Sequence, residues 1–303
     1  MNSLVEKIKK LKQERKAVIL AHNYQLPEVQ AIADFVGDSL GLSIEASKTK
    51  AKVIVFCGVY FMAETAKILS PDKIVIIPDK NAGCPMADMI TAYELRKLKQ
   101  KYPQAKVLCY VNTSAKVKAE SDFCCTSANA VKMVESVLKN EKEVIFIPDK
   151  YLASYVSSQT HKKFILWEGY CPSHIKISPQ DIQDKKRLYP QAEVLVHPEC
   201  CPEVINLADK VFSTEGMCKY VGKSQSKEFI IGTEPGIIFR LKKENPQKEF
   251  YPASSEAICP NMKLTNLEKV LWSLEDMEYK VELPQEIITK ARESIERMIN
   301  CLD

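Results

Sequence analysis

Three cysteines at a common interval give the first chemical signal in the sequence. Cys84, Cys171 and Cys259 lie 87 and 88 residues apart, and each is followed by proline, in "GCPMAD", "YCPSHI" and "ICPNMK". Proline lacks a backbone N–H and holds the residue before it extended, which fixes where each sulfur points. Three thiolates do not complete a tetrahedral zinc site unless a fourth ligand joins them. They do suit three corners of a [4Fe–4S] cluster, one per chain, leaving one iron without a protein ligand. An electron-transfer cluster ordinarily takes four cysteines. A missing fourth points to an open iron that acts as a Lewis acid on a hydroxyl or carbonyl. The plainer reading of the same spacing is three buried structural thiols.

A second set shares the interval. His22, Tyr110 and His197 are 88 and 87 residues apart, and each ends a short apolar run. Twelve residues beyond them stand Asp34, Asp122 and Asp209, and five further on Ser39, Ser127 and Thr214. Parallel α/β sheets bind ligands beyond the carboxyl ends of their strands. The triplets His22-Asn23-Tyr24, Tyr110-Val111-Asn112 and His197-Pro198-Glu199 are therefore expected to line a central cavity. The three hydroxyls fall where a following helix begins, as N-caps, and helix N-termini favour carboxylate or phosphate. Asp38, just before Ser39, is placed to hold a neighbouring group. Glu199 is the one carboxylate among the triplets and the candidate general base, since one substrate cannot use three equivalent bases. His174, three residues after Cys171, joins the candidates; His161, in "THKK", reads as solvated surface.

These positions need elements to hold them, and the elements repeat. "YPQAKVLCYVN" from Tyr102 returns as "YPQAEVLVHPE" from Tyr189. The windows Val18–Ser39, Val107–Ser127 and Val194–Thr214 align without a gap. Each reads as a buried β-branched strand, a polar loop, an amphipathic helix and a second short strand. Pro27 and Pro202 suit the first helical position. A further helix, strand, helix and strand follow, with the third strands at "KVIVFC", "EVIFIP" and "EFIIGT". A fixed long period means one supersecondary unit repeated. The expected fold class is α/β: three pseudo-threefold-related three-layer α/β/α domains, each with a small parallel sheet, around a central cavity. The expected boundaries are 1–90, with an N-terminal helix carrying Leu4, Ile8 and Leu11 on one face; 91–177; and 178–303, with a C-terminal helix.

Composition narrows the function classes. With 46% hydrophobic and 27% charged residues, 303 positions supply ample core. A net charge of +4 without a long basic run gives no expectation of nucleic-acid binding. The apolar runs are strand-sized, well short of the roughly 20 residues of a membrane span. Eleven cysteines without a secretory signal predict a cytoplasmic protein with reduced thiols. Cys57, Cys109, Cys124 and Cys125 read as core. Cys200 and Cys201, beside Glu199, are candidates for an accessory-ligand or redox role. Cys218 and Cys301 carry no expectation. No G-x-G-x-x-G or P-loop supports a nucleotide fold.

With these residues in view, the chain resembles the quinolinate synthase family over nearly its whole length. The resemblance is carried by "AHNYQLPEVQAIADFVGDS", "GVYFMAETAKIL", "CPMA", "YVNTSA", "TSANAV", "CPSH", "HPEC" and "IGTEPG". It implies three α/β domains around a cavity holding a [4Fe–4S] cluster on Cys84, Cys171 and Cys259. It implies condensation of iminosuccinate with dihydroxyacetone phosphate to quinolinate, phosphate and two waters, in NAD biosynthesis. Substrate contacts carried over are His22, Ser39, Tyr110, Asn112, Ser127, His197, Glu199 and Thr214, with Val111 and Pro198 in the same triplets. Glu199, Tyr24, His197, Tyr110 and His174 are the expected catalytic group. The implied partner is the aspartate-oxidising enzyme that supplies iminosuccinate. Two other readings of the residues stay open: another iron–sulfur hydro-lyase acting on a hydroxy acid, and a non-enzymatic iron–sulfur sensor.

Overall fold

The computed structural model describes residues 2–301. A first helix, α1 (Asn2–Glu14), leads into the first unit: β1 (Ala17–His22), α2 (Pro27–Ile32), β2 (Phe35–Gly37), α3 (Ser39–Lys48), β3 (Val53–Cys57), α4 (Tyr60–Leu69) and β4 (Ile74–Ile76). After α5 (Ala92–Lys101) comes the second: β5 (Lys106–Tyr110), α6 (Ala115–Lys118), β6 (Phe123–Cys125), α7 (Ala130–Ser136), β7 (Val144–Ile147), α8 (Lys150–Thr160) and β8 (Ile165–Leu166). After α9 (Pro179–Leu188) comes the third: β9 (Glu193–Val196), α10 (Pro202–Ile205), β10 (Lys210–Val211), α11 (Thr214–Lys223), β11 (Glu228–Gly232), α12 (Ile237–Glu244) and β12 (Glu249–Pro252). Two helices close the described chain, α13 (Leu267–Asp276) and α14 (Gln285–Asn300).

The three sheets share one topology. Their orders are β2-β1-β3-β4, β6-β5-β7-β8 and β10-β9-β11-β12, and every ladder is parallel. The first strand of each unit is thus central, and its carboxyl end carries the expected site residue. These strands are buried on both faces, as parallel sheets between helix layers must be. Along β1 and β3, Leu20, Ile54 and Phe56 face one core, while Ile19, Val53 and Val55 face another completed by Ile8 of α1 and Leu271 of α13.

The aligned aspartates are structural. Asp34, Asp122 and Asp209 accept the backbone N–H of Ile19, Val107 and Val194 at 2.8, 2.8 and 2.7 Å. Each returns a backbone N–H to the carbonyl of the same strand residue. The pair of bonds sets the second strand against the first. Asp122→Ala is expected to cost about 1–2 kcal/mol, at the low end for a bond to a charged group because water reaches the site. A lower urea midpoint at unchanged slope is the reading that checks it; an unmoved midpoint would show that the bond adds nothing.

The repeated "YPQA" also has a structural cause. Helices α5 and α9 open with capping boxes, Thr91 with Glu94 and Ser178 with Asp181. They close at Tyr102 and Tyr189, whose carbonyls accept the N–H of Ala105 and Ala192 and turn the chain into the next strand. After β12 the chain leaves its own unit. Helix α13 packs on α1 and β3, and α14 lies across α4, α6 and β6. Ser294 Oγ donates to the Lys118 carbonyl at 3.0 Å, and Arg292 and Arg297 donate to the carbonyls of Leu69 and Asp122. The C-terminal helices follow the third repeat in sequence but cover the first two in space.

Candidate active site

The carboxyl ends of β1, β5 and β9 meet at one cavity. Its wall holds His22, Tyr24, Ser39, Tyr110, Asn112, Ser127, His174, His197, Glu199, Thr214 and all three Cys-Pro cysteines. Val59, Phe61, Met62, Met86 and Met262 supply its apolar part. Val111 and Pro198 are not on this wall. Val111 is buried, with its N–H on the Cys125 carbonyl, and Pro198 faces an adjoining groove lined by Phe35 and Phe212. Cys200 is fully buried in the third unit's core, and Cys201 packs against that core. His161 is exposed at the end of α8.

The two strand-end histidines share one local geometry. The N–H of Tyr24 donates to His22 Nδ1 at 3.2 Å, and the N–H of Glu199 donates to His197 Nδ1 at 3.3 Å. Each ring therefore carries its proton on Nε2 when neutral. Burial pushes both imidazoles down to about 3, so both are neutral at physiological pH. They present uncharged N–H donors: His197 Nε2 lies 3.1 Å from Ser127 Oγ.

Glu199 is the charged centre. His174 Nδ1 stands 2.8 Å from its Oε2, and the Tyr110 hydroxyl donates to its Oε1. Burial opposes a charge here, but His174 and His197, with the hydrogen bonds from His174 and Tyr110, hold the carboxyl below the ordinary carboxylate range. Tyr110 and Tyr24 go the other way: burial, then the Glu199 charge, holds both phenols protonated. Asn112 Oδ1 is buried at the cavity without a hydrogen-bond partner among the described residues, an acceptor left for a ligand.

Sequence reasoning missed Thr233. It follows β11 and is fully buried, with its hydroxyl 2.5 Å from the Tyr24 hydroxyl and 2.7 Å from His174 Nε2. The strand-end rule, applied to the third strand of each unit as well as the first, would have reached it. It also missed the Glu234–Lys263 pair at 2.8 Å, which ties Cys259 to the Tyr24 loop. Glu234 accepts the Cys259 N–H at 3.4 Å, and Lys263 donates to the Tyr24 carbonyl at 2.5 Å.

The aligned hydroxyls sit one position off the expected register. Asp38 and Ser213 are the caps of α3 and α11, accepting from Gly41 and Gly216 at 2.8 and 3.1 Å. Ser39 and Thr214 are the first helical residues. In the second unit the Asn129 side chain takes the Thr126 N–H at 2.7 Å, and α7 starts only at Ala130. A local side-chain turn has displaced the helix start there. Released from capping, Ser39, Ser127 and Thr214 face the cavity.

The cysteines repeat one turn three times. Cys84 accepts the amides of Met86 and Ala87, Cys171 those of Ser173 and His174, and Cys259 those of Asn261 and Met262. Proline at the next position has no N–H, so the first free amides are those two, and both reach the sulfur. Short 3₁₀ turns at Ala87–Met89, His174–Lys176 and Pro260–Lys263 hold them. Burial nonetheless pushes all three thiols up, Cys84 to about 12. Cys84 feels the charge of Cys259, and Cys171 that of Cys84. Cys171 Sγ, a His174 nitrogen and a Glu199 oxygen lie within 4.8 Å of one another. Three sulfurs with amide donors, no fourth cysteine on the wall, and a need for a cationic group to draw off their protons fit a [4Fe–4S] cluster held at three corners.

Comparison with known proteins agrees in extent. The sequence profile of the family described as Quinolinate synthetase A protein matches residues 6–300. A protein of Dehalococcoides mccartyi (strain CBDB1) named quinolinate synthase is 59% identical over 293 residues, 97% of this chain and 96% of its own. Proteins of the same name from Geobacter sp. (strain M21) and Methanosarcina barkeri (strain Fusaro) are each 56% identical, over 98% of this chain and 97% of theirs.

Proposed function

The chain belongs to the quinolinate synthetase A protein family, and on that premise we propose that it condenses iminosuccinate with dihydroxyacetone phosphate to give quinolinate, phosphate and two waters, in NAD biosynthesis. The observation that carries this reading is the meeting of three Cys-Pro turns with an ionised Glu199 in one cavity. We assign one [4Fe–4S] cluster per chain to Cys84, Cys171 and Cys259; when bound it supplies an open iron, a Lewis acid.

The rest of the chemistry falls to side chains. The reaction joins carbon to carbon and expels one phosphate and two waters, so protons must leave carbon and reach departing oxygens. Glu199, ionised and buried, is the general base. Each of its oxygens accepts one bond from Tyr110 or His174 and keeps a lone pair for a substrate proton. His22 and His197, neutral, offer Nε2–H donors that orient substrate oxygens. Tyr110 and Tyr24, held as phenols, are the acids beside them. Ser39, Ser127 and Thr214 bind carboxylate or phosphate oxygens, and Asn112 accepts from a substrate hydroxyl or amine. The eleven cysteines are all free, in keeping with a reducing cytoplasm. Among the described residues no helix is long and apolar enough to cross a membrane. An aspartate-oxidising enzyme is the partner that would supply iminosuccinate.

Anaerobically reconstituted protein should form quinolinate only when both substrates are present; none from fully loaded protein would overturn the reading. Ser127→Ala and Thr214→Ala should each raise KM for a substrate about 10–100-fold, the worth of one hydrogen bond to a charged group, roughly 1.5–3 kcal/mol. Iron content should stay at the parent's value. Unchanged KM for both substrates would remove that hydroxyl from the binding set.

A further inference from the structure

We propose that Asn23, held by Arg240, keeps the Thr214 hydroxyl as a hydrogen-bond donor to the cavity, so that this position selects an anionic oxygen; the role rests on the reading of Thr214 as a substrate contact. Asn23 is fully buried and off the cavity wall, so it acts through Thr214 as a positioning residue. Thr214 comes from the start of α11 and Arg240 from α12, while Asn23 follows β1, so the device spans the first and third units.

The direction of each bond follows from the guanidinium, which has donors and no acceptor. Arg240 Nη1 donates to Asn23 Oδ1 at 3.0 Å. The amide is thereby turned with its nitrogen to Thr214 Oγ1, at 2.9 Å. An amide nitrogen donates and does not accept, so the threonine oxygen is the acceptor. The threonine's own proton stays uncommitted, and among the described residues none accepts it. Because Thr214 lines the cavity, that proton is offered to whatever lies there.

Both ends of the device are anchored. Arg240 also donates to Glu215 Oε2 at 2.8 Å and to Glu244 Oε1 at 2.7 Å, and its side chain is only 15% exposed. The Asn23 N–H donates to the Gly37 carbonyl at 3.0 Å, and the Asn23 carbonyl accepts from Gln30 Nε2 at 3.1 Å. The repeat does not share the arrangement. Asn23 aligns with Val111 and Pro198, whose side chains cannot donate. The cavity hydroxyls are therefore unlike: Thr214 meets an amide, and Ser127 a histidine nitrogen at 3.1 Å. A carboxylate or phosphate oxygen only accepts, so it is the group a held donor serves; a substrate hydroxyl or amine would have other partners.

Anaerobic kinetics on iron-loaded variants test it. Asn23→Asp keeps the shape, and beside Arg240 it stays ionised. A carboxylate accepts from Arg240 and Thr214 alike, so the hydroxyl turns its proton away from the cavity. KM for one substrate should rise about 10–100-fold, as far as in Thr214→Val, with kcat and iron content little changed. A rise for iminosuccinate assigns Thr214 to a carboxylate, and a rise for dihydroxyacetone phosphate assigns it to the phosphate. Asn23→Leu removes the partner but leaves the proton free, so KM should rise only a few-fold. A merely structural role reverses that order, because aspartate keeps both hydrogen bonds and leucine loses both. Leucine worse than aspartate, or aspartate at the parent's KM, overturns the proposal. The double variant Asn23→Asp with Thr214→Val separates direction from charge. A negative charge repels an anion with or without the hydroxyl, so the two losses would multiply, and that result also overturns it. Acting through Thr214, Asn23→Asp adds nothing, and the double variant matches Thr214→Val. Should the leucine variant fail to fold, aspartate and the double variant decide. Raised KM in Thr214→Val with the parent's KM in Asn23→Asp leaves the contact and removes only Asn23. The parent's KM for both substrates in Thr214→Val removes the contact and Asn23 with it.

Discussion

Cys84→Ser, Cys171→Ser and Cys259→Ser should each lose most of the bound iron and the visible charge-transfer absorption, and with them all turnover. The expected parent value is about four irons per chain. A serine oxygen is a harder ligand than sulfur and ionises less readily, so it replaces the thiolate poorly. The turn makes a sharper demand. Because each sulfur receives two amides from the second and third residues beyond it, the three positions should behave alike. A bystander among them would retain iron when substituted. Cys57→Ser and Cys125→Ser are the controls. Both residues are fully buried in strands, so serine there costs stability by burying a hydroxyl but should leave iron untouched. Reconstituted parent holding one zinc and no sulfide would sink the cluster assignment.

What the sequence disclosed follows from what a repeat conserves. The strand-end residues His22, Tyr110 and His197 were legible because a parallel strand buried on both faces leaves an apolar run that stops where the site begins. The cysteines were legible as spacing. The turn that holds each of them was not, because the amides that reach each sulfur carry no side-chain signature. The hydroxyls were found but placed one residue off, since Asp38 and Ser213 cap as well as Ser39 and Thr214 would, and pattern alone does not choose between adjacent polar residues. Thr233 stayed hidden for a different reason. Its equivalents at the ends of β3 and β7 are Gly58 and Pro148, which have no hydroxyl, so the repeat offered no match. Its partners Tyr24 and His174 lie 209 and 59 residues away. The docking of α14 on the first two units is equally remote from sequence: its apolar face announces a helix, not the surface it covers.

Glu199→Gln should keep the cluster and bind both substrates, yet turn over roughly 10²–10⁴-fold more slowly, the worth of general acid–base catalysis. The variant isolates proton acceptance because it preserves size. It also changes the hydrogen bonds in a definite way. Tyr110 donates to one oxygen and His174 to the other, and an amide offers one acceptor and one donor. If the amide oxygen faces Tyr110, its nitrogen meets His174 Nδ1, and the ring must shift its proton to Nε2. Anaerobic single-turnover rates on iron-loaded protein are the measurement that checks it. Turnover within a few-fold of the parent in the glutamine variant would pass the base to Tyr24 or His197, and of these His197 is the weaker claimant, because its Nδ1 already accepts the Glu199 amide and its Nε2 carries the proton.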